Sequence, residues 1–101
     1  MEILFAYGSL KSSKVQRRLL GREIEGMPDL LPNYRRTTFT IEQSSYYVAV
    51  PSKGESLEGI ILEVSEEEIA ILDNYESVEY KRVKKKLASG AKAWVYVQAK
   101  E

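Results

Sequence analysis

The apolar positions fall into short runs with two different periods. Residues 2–7 (Glu-Ile-Leu-Phe-Ala-Tyr) form a compact apolar run closed by Gly8, which predicts a buried first strand. Val15, Leu19 and Leu20 then recur at helical spacing behind Ser13-Lys14-Val15-Gln16, a capping-box pattern, and Gly21 stops them. Residues 23–27 are expected to form a brief strand, and Pro28, Pro32 and Asn33 an irregular surface connection. Residues 34–41 and 46–50, rich in Tyr, Thr, Phe, Ile and Val, predict an antiparallel hairpin turning at 42–45. Pro51 to Ser56, with Gly54, reads as a polar loop before another strand over 57–64.

Ser65-Glu66-Glu67-Glu68 is a second capping box, and its glutamates suit the positive end of the helix dipole. The helix it opens is expected to run to Tyr75 or Glu76. Residues 80–87 and 93–97 read as two final strands around a turn at Ser89-Gly90. A strand and helix followed mainly by hairpins, with one inserted helix, does not fit regular βα alternation. The expected class is α+β with a curved or barrel-like mixed sheet, as a single domain over 1–101.

Composition narrows the chemistry. The 101 residues hold 15 Lys+Arg and 15 Asp+Glu, so no net field attracts a polyanion. Neither cysteine nor histidine occurs, which removes disulfides, thiol nucleophiles, Ser-His-Asp and Cys-His arrangements and Cys-based metal sites. Catalysis must use Glu, Asp, Lys, Tyr or the backbone; no metal or cofactor is expected. The N-terminal run is too short and too acidic for an export signal or membrane span, so a soluble cytoplasmic protein is expected. A Cys-free chain rich in Glu and Lys would also suit a thermophile.

Two constellations are candidates for function. Tyr7-Gly8-Ser9-Leu10 sits where a strand hands over to a helix, and its successive N–H groups are suited to an anion, with Lys11 and Lys14 adding positive potential. Walker spacing is missing, which favours a carboxylate over a phosphate. A tight turn with Tyr7 as a core aromatic explains the same residues. The second constellation is Glu76, four residues beyond Leu72 and seven beyond Ile69, and hence on the apolar stripe. Desolvation and the negative helix end both raise the pKa of such a carboxyl and fit it for general acid/base work. Fraying of the helix before Glu76 would instead leave it solvated. Asp73, close to the same stripe, is expected to be structural and to satisfy nearby backbone donors.

Tyr-Gly-Ser-Leu after the first strand, followed by Leu72-Asp73-Asn74-Tyr75-Glu76 and Tyr80-Lys81-Arg82, resembles the γ-glutamylcyclotransferase-like family, in particular its short AIG2-like branch. Residues 57–64 are similar to that family's Val-x-Gly-Glu-Val-Tyr-x-Val strand, and 47–51 to the hairpin strand before it. The resemblance implies a small mixed β-barrel with two or more short helices packed outside and a cavity at its mouth. It implies conversion of a γ-glutamyl amine or γ-glutamyl peptide to 5-oxoproline plus free amine by a cofactor-independent acyltransferase or lyase. Under it, Glu76 is the general acid/base, Gly8, Ser9 and Leu10 hold or polarise the substrate, and Tyr7, Tyr80 and Arg82 assist binding. Ser77 and Tyr47 depart from the glycine and proline common in the family, and both bear on the cavity's shape.

On a strand, Tyr80, Arg82, Lys84 and Lys86 share one face; the lysines suit a solvated edge that discourages sheet pairing. Two other functions compete with this one. A non-catalytic module holding a small carboxylate would keep the cavity without needing Glu76. A nucleic-acid module using Lys81 to Lys86 with Tyr80 and Trp94 is opposed by the zero net charge and the lack of an aromatic RNA-binding motif.

Overall fold

A computed structural model describes residues 1–76 and 78–99. Strand β1 (Glu2–Ala6) leads through a 3₁₀ turn (Ser9–Lys11) into helix α1 (Ser13–Leu20). Strands β2 (Met27–Ile41) and β3 (Ser44–Val64) make one long hairpin. Helix α2 (Glu66–Glu76) then precedes β4 (Tyr80–Lys86) and β5 (Lys92–Gln98). The five strands form one mixed sheet in the order β2-β3-β1-β5-β4, with β1 and β5 parallel and the other neighbours antiparallel. The sheet curls into a half-barrel with two helices against it, the α+β architecture that the strand order predicts.

Alternation along β1 and β5 divides the core. Phe5, Tyr7, Val95 and Val97 pack inside the curl with Leu31, Tyr34 and Ala49. Leu4, Ala6 and Tyr96 face the other way, onto Leu10, Ile69 and Leu72 of the helical layer. Both faces of β1 are thus covered, which is why its sequence is a continuous apolar run.

The hairpin differs most from expectation. Residues 28–33 and 51–56 are strand rather than connections, and 23–27 form no strand before Met27. β2 is an edge strand, where prolines without an N–H are tolerated, so Pro28 and Pro32 do not interrupt it. Asn33 (φ 64°) and Gly54 (φ 88°) mark a bulge where pairing shifts from Pro32–Ser56 to Tyr34–Pro51. The Gly54 N–H donates to Asn33 Oδ1 at 3.0 Å across it. The turn signals therefore mark a bend in a continuous ladder. At the tip, Glu42 and Gln43 both take positive φ, as a two-residue primed turn requires.

This bend returns β3 to β5. Its second half pairs with β1 up to Ile60–Ala6, while Ala49 in its first half meets Val97 of β5 beyond the end of β1. Tyr7, the residue after β1, fills that junction. Its hydroxyl donates to the Tyr96 carbonyl and accepts the Ala49 N–H at 3.0 Å, tying β5 to β3. Gly59 serves the same closeness elsewhere: a Cβ there would lie 2.6 Å from the Ala6 carbonyl oxygen and 2.5 Å from the Phe5 ring.

The two capping boxes fare differently. Ser65 and Glu68 exchange hydrogen bonds as the pattern predicts, Glu68 N–H to Ser65 Oγ at 3.1 Å and Ser65 N–H to Glu68 Oε1 at 2.9 Å. The Arg22 guanidinium, with the Ser65 donors, holds the Glu68 carboxyl down at about 2. At α1 the N-cap is Ser12 and no side chain caps it. Gln16 instead lies buried, donating to the Leu10 carbonyl and accepting the Ile24 N–H, both at 2.8 Å.

Tyr7→Phe removes the bridging oxygen and leaves a buried carbonyl and a buried N–H each short of a partner. Equilibrium denaturation is expected to show a loss of about 1–3 kcal/mol. No loss of stability would show that the two strands are held together by other contacts.

Candidate active site

One end of the half-barrel opens into a cavity of about 980 Å³, inside the size range of small-molecule sites. Its walls come from the end of β1, the loop after it, the tip half of the β2–β3 hairpin, the end of α2 and the start of β4. Both constellations singled out in the sequence reach it: Tyr7, Gly8, Ser9 and Leu10 from the loop, and Glu76 from the last turn of α2.

The loop is held by its surroundings. Lys11 N–H to Gly8 O and Ser12 N–H to Ser9 O, each 3.0 Å, close the 3₁₀ turn, and the first N–H groups of such a turn have no partner within it. Gln16 anchors the Leu10 carbonyl, and Leu10 is buried against the helical layer. Ser9 Oγ lies 3.3 Å from the Tyr75 hydroxyl, linking the loop to the residue before Glu76. Gly8 has φ −131° and ψ −132°, outside the extended and helical regions, and a Cβ there would meet only the Tyr47 side chain, at 3.6 Å.

Helix α2 is oriented by its neighbour carboxylate. Asp73 receives two parallel bonds from Arg82, at 2.9 and 3.1 Å, and the Tyr96 hydroxyl at 2.8 Å. Arg82 is stacked over Trp94 at 4.1 Å, and the Trp94 indole N–H donates to Glu2 at 2.7 Å. This chain fixes the last turn of α2 to β4, β5 and β1. Asp73 is structural as expected, but its partners are side chains rather than backbone donors. With Ile69 and Leu72 buried on the same turns, Glu76 is directed at the cavity. Loss of water pushes its carboxyl from 4.5 up to about 7.

The remaining sequence candidates separate. Tyr80 lines the cavity, with its hydroxyl donating to the Tyr47 carbonyl at 2.5 Å and its pKa raised by burial and then by Glu76. Tyr7 lines it as well, but its hydroxyl is committed to the strand junction and its pKa is raised by burial. Arg82 does not line the cavity, because Asp73 and Trp94 hold it on the helix side of the sheet. Lys11 lines it and Lys14 does not. β4 is a sheet edge, as its lysines suggest, with Lys84 over Trp94 at 4.5 Å. Ser77 lies outside the described residues, and Tyr47 forms part of the wall.

Sequence reasoning missed Arg36, Phe39 and Tyr46 on the hairpin. Arg36 stacks 4.0 Å over the Tyr47 ring, with Nη1 3.5 Å from the Tyr7 carbonyl oxygen. Only the bend at Asn33 and Gly54 brings this hairpin over the end of β1, and that bend is written in residues that read as loop. Among the described residues no cluster of acidic side chains suits a metal ion, and no helix is long and apolar enough to cross a membrane.

Comparison with known proteins gives the family and the fold. Residues 4–101 match the family model described as gamma-glutamyl cyclotransferase, AIG2-like. AIG2-like protein D of Arabidopsis thaliana is 34% identical over 83 residues, which are 81% of this chain and 53% of that protein, so the chain spans about half of this curated relative's length. A solution structure of another Arabidopsis thaliana protein superposes with a TM-score of 0.84 at 26% identity, covering 98% of this chain and 69% of that one. A structure described as a gamma-glutamyl cyclotransferase superposes at 0.81 with 15% identity, covering 96% and 66%, a likeness of fold.

The Glu76 environment has a thermodynamic signature. A folded pKa near 7 against an ordinary 4.5 means that the folded chain holds a proton the unfolded chain releases between those values. Stability linked to Glu76 is therefore full below about 4.5 and lost as pH rises through 7. Glu76→Gln is expected to melt above the parent at pH 8 and together with it at pH 4; calorimetry finding the same difference at both would contradict the inward placement.

Proposed function

Because this chain belongs to the AIG2-like gamma-glutamyl cyclotransferase family, we propose that it converts a γ-glutamyl amine or γ-glutamyl peptide to 5-oxoproline and the free amine. The observation that carries this reading is that Glu76, with its carboxyl near 7, shares one cavity with the Gly8-Ser9-Leu10 backbone.

No protein nucleophile is needed, which suits a chain without His or Cys. The substrate's α-amine nitrogen bonds to its own γ-carbonyl carbon, and the bond from that carbon to the leaving nitrogen breaks. Glu76 takes the proton from the α-amine and returns it to the leaving nitrogen, so no water or cofactor is consumed. Folding the substrate so that amine and carbonyl meet supplies proximity, for which effective molarities of roughly 10⁵ M or more are attainable. The N–H groups at Gly8, Ser9 and Leu10 hold the glutamyl carboxylate or stabilise charge on the carbonyl oxygen, with Lys11 and Arg36 adding positive potential nearby. Tyr7 and Tyr80 shape the pocket around the glutamyl chain. The cytoplasm, with its small γ-glutamyl compounds, is the compartment this reading expects.

The test is incubation with a panel of γ-glutamyl amines and dipeptides, with 5-oxoproline detected by mass spectrometry. Turnover is expected, with kcat/KM rising as pH increases through about 7 as Glu76 ionises. Glu76→Gln is expected to lower it about 10²- to 10⁴-fold. Binding of these compounds without any 5-oxoproline would favour a non-catalytic carboxylate-binding module, and equal rates for Glu76→Gln would remove Glu76 from the chemistry.

A further inference from the structure

The cavity has two chemically distinct parts, and the reaction above uses only one. Lys11 belongs to the loop, and Arg36, carried on the hairpin and stacked over Tyr47, holds its Nη1 3.5 Å from the carbonyl oxygen of Tyr7, where the loop begins. In the cyclase reading, the loop side is where the glutamyl carboxylate is held. The rest of the lining is a ring cluster on the hairpin. Phe39 lies 5.7 Å from Tyr46, tilted by 34°, and 5.9 Å from Tyr80, edge-on at 60°. Ile41 and Val78 add apolar lining to the same cavity, and Tyr46 is 46% and Val78 86% exposed.

We propose that this ring cluster binds the substituent of the leaving amine, and that the preferred substrate is the γ-glutamyl amide of an uncharged, aryl-bearing amine; the substrate assignment rests on the cyclase reading. A released amino acid would bring a second carboxylate to the hairpin side of the cavity. The titratable groups that line the cavity beyond the loop are Arg36, Glu76, Glu79 and tyrosines; Arg36 is stacked on Tyr47 with Nη1 toward the Tyr7 carbonyl, and the Tyr80 hydroxyl is already donated to the Tyr47 carbonyl. A carboxylate there would be desolvated beside like charge. An aryl group instead covers exposed apolar surface and extends a cluster whose tilted and edge-on contacts are those that rings prefer.

Four substrates of one series separate the possibilities: the γ-glutamyl amides of methylamine, phenethylamine, phenylalanine and 1,5-diaminopentane. The phenethylamide is expected to exceed the methylamide in kcat/KM by about ten- to a hundredfold, the range for burying a phenyl-sized group. It should also exceed the phenylalanine and diaminopentane adducts. Tyr46→Ala, at a half-exposed position, is expected to shrink the phenethyl-to-methyl ratio about threefold or more, and Phe39→Leu to do the same with the core kept apolar. Calorimetry with the glutaric acid monoamides of phenethylamine and methylamine, which keep the carboxylate but lack the attacking amine, reads the same preference without turnover.

If 5-oxoproline forms but the amino-acid or diamine adduct is equal or better, the substituent assignment is overturned and the cyclase reading stands. If no substrate turns over but the phenethyl monoamide still binds more tightly, the cyclase reading falls and the ring cluster keeps its ligand. Equal binding of the two monoamides, or an unchanged ratio in both variants, overturns the inference.

Discussion

Tyr7 stands where β1 stops and its two neighbours close over its end. Its hydroxyl has one bond to give and lone pairs to receive, and the fold uses both, on the Tyr96 carbonyl of β5 and the Ala49 N–H of β3. The bend at Asn33 and Gly54 turns the hairpin back over the end of β1, and this junction ties it there. The cavity depends on that bend, because Arg36, Phe39, Tyr46 and Tyr47 all ride on the hairpin's tip half. Tyr7 lines the cavity, but its hydroxyl is spent on the walls. Burial raises its pKa, so it stays a neutral phenol able to make both bonds.

The same economy of position separates the two carboxylates at the end of α2. Asp73 and Glu76 are three residues apart and therefore neighbours on the helix surface. Asp73 is held by Arg82 and the Tyr96 hydroxyl, which anchors the last turn. Glu76 meets the cavity and loses water there, which favours its protonated form. Two acids on one helix turn thus have different partners, one bonded to side chains of β4 and β5 and the other facing the cavity. Here the division also explains why Arg82 is absent from the cavity: its guanidinium is the counter-charge of the anchor.

Much of this was legible in the residues. Continuous apolar character marks β1 because both its faces are covered, and the Ser65-Glu68 pattern forms the capping box it spells. Helical spacing from Ile69 and Leu72 gave the inward direction of Glu76. The failures share a cause, since proline, asparagine and glycine report local backbone geometry and not what the strand does on either side. Pro28 and Pro32 sit on an edge, and Asn33 and Gly54 form a bulge, so the chain bends and keeps pairing. Gln16 carries helix-cap spacing yet is recruited by the Leu10 carbonyl, a tertiary contact no local pattern encodes. Arg36 was invisible for a similar reason: its relation to the loop exists only after the bend.

The central claim is that Glu76 is partly withdrawn from water in the cavity it shares with the Gly8-Ser9 loop. NMR titration of the Glu76 side-chain carboxyl carbon in the folded protein reads this directly. A midpoint near 7 is predicted, and a midpoint at or below the ordinary 4.5 would contradict the account.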